Sequence, residues 1–73
     1  MKAGEFQRKV QRLARRRKVF YSWDPAHGKG SHGTITLGEG STTLKDLNKE
    51  IGPGLLKSMC ADLGIMPKDL NDV

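Results

Sequence analysis

The residues best suited to chemistry lie in one short run, Gly28-Lys29-Gly30-Ser31-His32-Gly33. Three of its six residues are glycines, which let a backbone approach a ligand closely because no Cβ intervenes. Lys29 contributes a cation and Ser31 a hydroxyl. His32 contributes an imidazole, whose reference pKa of about 6.5 lets it take up or release a proton near neutral pH. Together these groups suit reaction at a phosphate: an imidazole to move a proton, with Lys29 and the Gly30 turn N–H groups to offset developing negative charge. The same run also has a plain structural meaning, since a glycine-rich stretch before a strand is often only a turn. The residues alone leave both meanings open.

Charge points to a polyanion. The chain has 73 residues and a formal charge of +5, and that charge is concentrated at one end. Residues 1–18 hold eight cations and one carboxylate, a net +7, whereas residues 19–73 hold five cations against seven carboxylates, a net −2. With no carboxylates expected at helical spacing from these cations, Arg8, Arg12, Arg15 and Arg16 read as phosphate contacts rather than a merely solvated face. A chain of this size buries only about 60% of its unfolded surface, which leaves no room for a deep pocket. Any substrate must therefore lie on the surface. A lone cysteine, Cys60, rules out an internal disulfide and fits a reducing compartment. Met1–Glu5 leads into charge rather than an apolar leader, so the expectation is a cytoplasmic protein with no membrane association.

Periodicity supplies the elements that must position these groups. Phe6, Val10, Leu13 and Ala14 fall on one face of a helix over 3–17. Lys18–Trp23, rich in aromatic and β-branched residues, reads as a first strand ended by Asp24-Pro25. Its aromatics read as core, with base stacking by Trp23 the less favoured use. Thr34–Leu37 forms a second strand, in which Ile35 and Leu37 share one face and His32, Thr34 and Thr36 the other. Gly38-Glu39-Gly40 marks a hairpin, Ser41–Leu44 a third strand, and residues 45–51 a connection with at most one helical turn. A last helix opens at Pro53, carries Leu55, Leu56, Met59, Cys60 and Leu63 as its apolar stripe, and closes at Gly64. Cys60 within that stripe reads as a buried thiol rather than a nucleophile. Residues 66–70 add a short turn that folds back on the rest. The expected architecture is α+β, one domain over 1–73, in the order α-β-β-β-α with a three-stranded antiparallel sheet and both helices on one face.

Gly30-Ser31-His32, followed about twenty residues later by the Gly54-Leu55-Leu56-Lys57-Ser58-Met59-Cys60-Ala61-Asp62-Leu63-Gly64-Ile65 helix, resembles the HicA toxins, small mRNA-cleaving partners of HicB antitoxins. The resemblance covers most of the chain. It implies a fold like that of double-stranded-RNA-binding domains, ribonuclease activity on mRNA with no metal or other cofactor, His32 as the catalytic residue, and a HicB-like antitoxin as protein partner. The chain departs from the family pattern in three places. It lacks a glycine after the first helix and a proline-histidine pair in the 45–51 region. It also has His27, in a long loop, about where relatives often have a basic residue. His27 is therefore a second acid-base candidate peculiar to this loop. His27, His32 and Cys60 have no recognised metal-ligand spacing. The rival to the enzyme is a non-catalytic RNA-binding domain of the same fold, which would need the lysines and hydroxyls but not the histidine.

Overall fold

The structure, a computed structural model, describes residues 1–25, 33–71 and 73. Helix α1 runs Ala3–Arg17, followed by strands β1 (Tyr21–Asp24), β2 (Gly33–Leu37) and β3 (Gly40–Leu44), helix α2 (Pro53–Asp62) and a 3-10 turn, Pro67–Leu70. The sheet is antiparallel in the order β1-β2-β3, with Trp23 opposite Ile35 and Ile35 opposite Thr42. This is the α+β arrangement expected from the periodicity.

Alternation divides the sheet into two unlike faces. Tyr21, Trp23, Ile35, Leu37, Thr42 and Leu44 point to the helices, and Ile35 and Leu44 are fully buried there. The apolar stripe of α1 meets them: Phe6 and Val10 are completely excluded from solvent, and Leu13 and Ala14 nearly so. From α2 come Met59 and Cys60, from its C-cap Leu63, and from the 3-10 turn Leu70, all in one contiguous core. Polar ties join the layers. Gln7 Nε2 donates to Tyr21 Oη (3.2 Å), and the Thr42 hydroxyl donates to Asp62 Oδ2 (3.2 Å).

The start of α1 is held by the 45–51 connection. A helix leaves its first N–H groups without internal partners. Here Ala3 N–H donates to the Lys49 carbonyl and Gly4 N–H to that of Leu47, both at 2.9 Å. The connection contains no helical turn. It bends over Asp46–Lys49, where Asn48 N–H donates to the Asp46 carboxylate, and Ile51 N–H then donates to the Met1 carbonyl. The N-terminal ammonium pairs with Glu50.

Each expected helix end is found, with its physical cause visible. Pro53 occupies the first turn of α2. Gly64, at φ +75°, closes that helix, with Ile65 N–H returning to the Cys60 carbonyl and Gly64 N–H to that of Ala61. That is the two-bond arrangement a left-handed glycine permits. Gly38, at φ +61°, takes the first central position of the β2–β3 hairpin. In the 3-10 turn, Asp69 accepts from Met66 N–H (2.8 Å) and pairs with Arg17 (3.3 Å). The Met66 N–H above all, aided by Arg17, holds the Asp69 carboxyl below its ordinary value.

Three expectations need correction. The first strand begins at Tyr21, not Lys18, because Lys18 is spent in ending the helix and Val19 and Phe20 are exposed. Leu55 leaves the α2 stripe and is 57% exposed, since in the first turn of α2 it lies outside the core that buries Met59, Cys60 and Leu63. The basic segment is also not wholly unpaired, for Glu5 lies 3.6 Å from Lys9 one turn away, and Arg17 meets Asp69.

The missing glycine after α1 has a structural consequence. Lys18 itself adopts a left-handed conformation, φ +56°, and Val19 N–H returns to the Ala14 carbonyl at 3.1 Å. A Cβ in that region is unfavourable, and glycine is the residue that removes the penalty. Lys18→Gly is expected to stabilise the fold by about 1 kcal/mol, read as a raised denaturant midpoint, whereas Lys18→Ala is not. A midpoint unchanged or lowered by glycine would contradict this account.

Candidate nucleic-acid interface

Arg8, Arg12 and Arg15 recur at i, i+4 and i+7, so they form one row along α1, opposite the buried Phe6–Val10–Leu13 stripe. All three are exposed and have no carboxylate partner among the described residues. Arg16, also exposed, stands beside the row, next to Arg17 and its Asp69 partner. The cations thus continue from Arg8 to Lys18, a run of about 15 Å at helical rise. Arg15–Arg17 fall in the last turn, where the helix dipole favours positive charge.

The uncovered side of the sheet is chemically different. Ser22, Thr36 and Ser41 form one cross-strand row, and Asp24, Thr34 and Thr43 a second. Five of these six outward groups are hydroxyls. They project from the sheet layer, whereas the arginine row projects from the helix layer. Arg8 and Arg12, on the side of α1 away from the buried stripe, therefore do not share a surface with these hydroxyls.

His27, Lys29, Gly30, Ser31 and His32 lie outside the described residues. Gly33 is described, and its role differs from a ligand cradle. It is the first residue of β2 and points inward, where the Trp23 ring fills the space its side chain would take. A Cβ there would meet the ring edge, standing 2.8 Å from Cζ3 and 3.0 Å from the Asp24 carbonyl. Trp23, half-buried, packs against the core, which agrees with the favoured use of the aromatics. No sequence pattern announces such a pair, because Trp23 and Gly33 meet only once β1 and β2 are in register.

A cleft of about 390 Å³ opens at the edge of β3, walled by Leu44, Ile51, Leu55 and Met59 and also lined by Lys45 and Lys49 and the carboxylates of Asp46, Glu50 and Asp62. Cys60 has no access to solvent. Burial first, and the nearby Asp69 carboxylate second, raise its pKa, so the thiolate is disfavoured. Among the described residues, no helix is long and apolar enough to cross a membrane.

Compared with known proteins, the chain matches no family model, no curated protein and no solved structure. Function therefore rests on the surface itself. One feature of that surface runs against the sequence pattern: Phe20, expected in a strand whose aromatics form the core, is 64% exposed. Its exposure follows from the strand register, which places Gly38, which has no side chain, across from it.

The Gly33–Trp23 contact has a direct test. Gly33→Ala forces the indole from its seat and is expected to destabilise the fold by about 1–3 kcal/mol, the range for overpacking a filled site. Trp23 emission should shift to longer wavelength in the same variant. Unchanged stability and emission would mean that the ring has room to move.

Proposed function

We propose that the protein is a metal-independent ribonuclease of the HicA type, a cytoplasmic toxin that cleaves mRNA and is restrained by a HicB-like antitoxin. On this reading its three-stranded sheet and two helices form the double-stranded-RNA-binding-domain-like fold of that family. The observation that carries the proposal is the exposed row Arg8, Arg12 and Arg15, which lacks carboxylate partners among the described residues and lies along a helix whose other face is fully buried. Such a row attracts a phosphate backbone without regard to sequence. The Gly30-Ser31-His32 resemblance supports the catalytic half.

RNA carries its own nucleophile. The ribose 2′-oxygen forms a bond to the adjacent phosphorus, the bond to the 5′-oxygen breaks, and the products end in a 2′,3′-cyclic phosphate and a 5′-hydroxyl. One proton must leave the 2′-hydroxyl and one must reach the 5′-oxygen. His32 performs one of these transfers, and water or His27 the other. Lys29 and the Gly30 N–H offset the charge that grows on the phosphoryl oxygens, and Ser31 donates to the phosphate.

Purified protein incubated with a long RNA in EDTA should cleave it. His32→Ala should lower the rate about 100-fold or more with folding and RNA affinity nearly intact, because arginines rather than the histidine dominate binding. Equal cleavage by both proteins would remove His32 from the mechanism, and binding without cleavage by the wild type would favour the non-catalytic RNA-binding domain.

Affinity should also fall with salt. Replacing Arg8 and Arg12 with glutamine should flatten the log–log slope by about 0.7 for each phosphate that is no longer neutralised on a single strand. An unchanged slope would move the footprint away from α1. Co-expression with the neighbouring reading frame should recover a tight protein complex.

A further inference from the structure

Among the described residues, the open face of the sheet contains one large apolar group, Phe20, and the reason it is bare is visible. Phe20 precedes β1, and its carbonyl accepts from Gly38 N–H at 2.7 Å, so the ladder alternation extends through it. Tyr21 points to the helices and bonds Gln7, so Phe20 points the other way, onto the hydroxyl-lined face. Continuing the register places Gly38 across from Phe20, and no atom outside Gly38 and its chain neighbours lies within 4 Å of where a Cβ of Gly38 would stand. The neighbours on that face, Ser22 and Thr36, are short. The ring is therefore 64% exposed, the most exposed large apolar side chain among the described residues.

Its position along the chain is equally informative. The cation run ends at Lys18, two residues away, and neither Arg15 nor Lys18 has an ion pair among the described residues. Lys18, the C-cap of α1, is thus the cation nearest in the chain to Phe20. An uncovered aromatic ring two residues beyond the end of a cation run, on a face of small hydroxyls, meets the two needs of single-stranded nucleic acid: charge for phosphates and a π-face for bases. A duplex offers no free base faces and gains nothing from the ring. Glu39, in the adjoining turn, disfavours a phosphate directly over Phe20 but not an uncharged base.

We propose that Phe20 is a base-stacking platform for single-stranded RNA, with Lys18 holding a flanking phosphate and Ser22 and Thr36 within reach of the ribose. The proposal rests on RNA being the ligand and names which form of it is bound. It makes Phe20 a binding residue at the turn end of β1, separate from the Gly28–Gly33 segment.

The test is fluorescence anisotropy with a labelled 2′-fluoro oligonucleotide, which lacks the attacking hydroxyl, used as a single strand and as a duplex. Phe20→Leu keeps the apolar surface but removes the π-face, and should weaken single-strand binding roughly five- to 150-fold. Its duplex affinity and salt slope should be unchanged, and Phe20→Tyr should bind as the wild type does. Circular dichroism and the unfolding midpoint of both variants confirm that this exposed position has not altered the fold. Wild-type affinity in Phe20→Leu would overturn the platform and leave the RNA reading standing. Equal losses on single strand and duplex would also overturn it, because the contact would then not be to bases. A wild type that binds neither form would overturn the RNA reading, and the platform with it.

Discussion

The fold depends on α1 keeping one face of a three-stranded sheet dry. Phe6 and Val10 have no solvent exposure, and they meet Ile35 and Leu44, which have essentially none. Each such side chain contributes about 1.5–3 kcal/mol by burial. A domain of this size has only about 0.05–0.15 kcal/mol of net stability per residue, so a few of these contacts equal the whole margin. Four apolar residues make too thin a stripe to sustain an isolated helix in water. The helix therefore exists because the sheet is there, and the sheet keeps its inner face covered because the helix is there. The hydrogen bonds from Ala3 and Gly4 to the 45–51 connection set where along the sheet the helix begins.

Close packing at this scale depends on two glycines that the sequence pattern places elsewhere, Gly33 in a ligand-approaching run and Gly40 in a hairpin turn. Gly33 makes room for Trp23. Gly40 makes room for α2, since a Cβ there would stand 2.5 Å from the Asp62 carbonyl and 2.9 Å from Leu63 Cα. Both let an element approach β2 or β3 more closely than any larger residue allows. The chemistry assigned to the Gly28–Gly33 run therefore rests on Lys29, Gly30, Ser31 and His32, not on Gly33.

One layer of helices over one sheet gives two outer surfaces with different capacities. The helix side presents arginines in a row, and the sheet side presents, among the described residues, hydroxyls, the Asp24 carboxylate and the Phe20 ring at one end. On the proposed RNA reading, a ligand on these surfaces would be held by charge along the helix side and by stacking at Phe20 on the sheet side.

The sequence by itself determined the elements. The 3.6-residue spacing of Phe6, Val10, Leu13 and Ala14 specifies that α1 is a helix and which face it buries, and Pro53 and Gly64 bound α2, because these signals are local properties of the backbone. The alternation of Thr34, Ile35, Thr36 and Leu37 likewise specified which side of β2 faces the helices. Charge concentrated in residues 1–18 was legible for the same reason. Only the tertiary structure decided what each exposed or glycine position is for. Phe20 is bare because Gly38 comes to lie across from it, Gly33 is filled because Trp23 does, and Leu55 is exposed because the core closes without it. These outcomes depend on the register between strands and the seating of helices on the sheet, contacts between residues distant in the chain that no local pattern encodes.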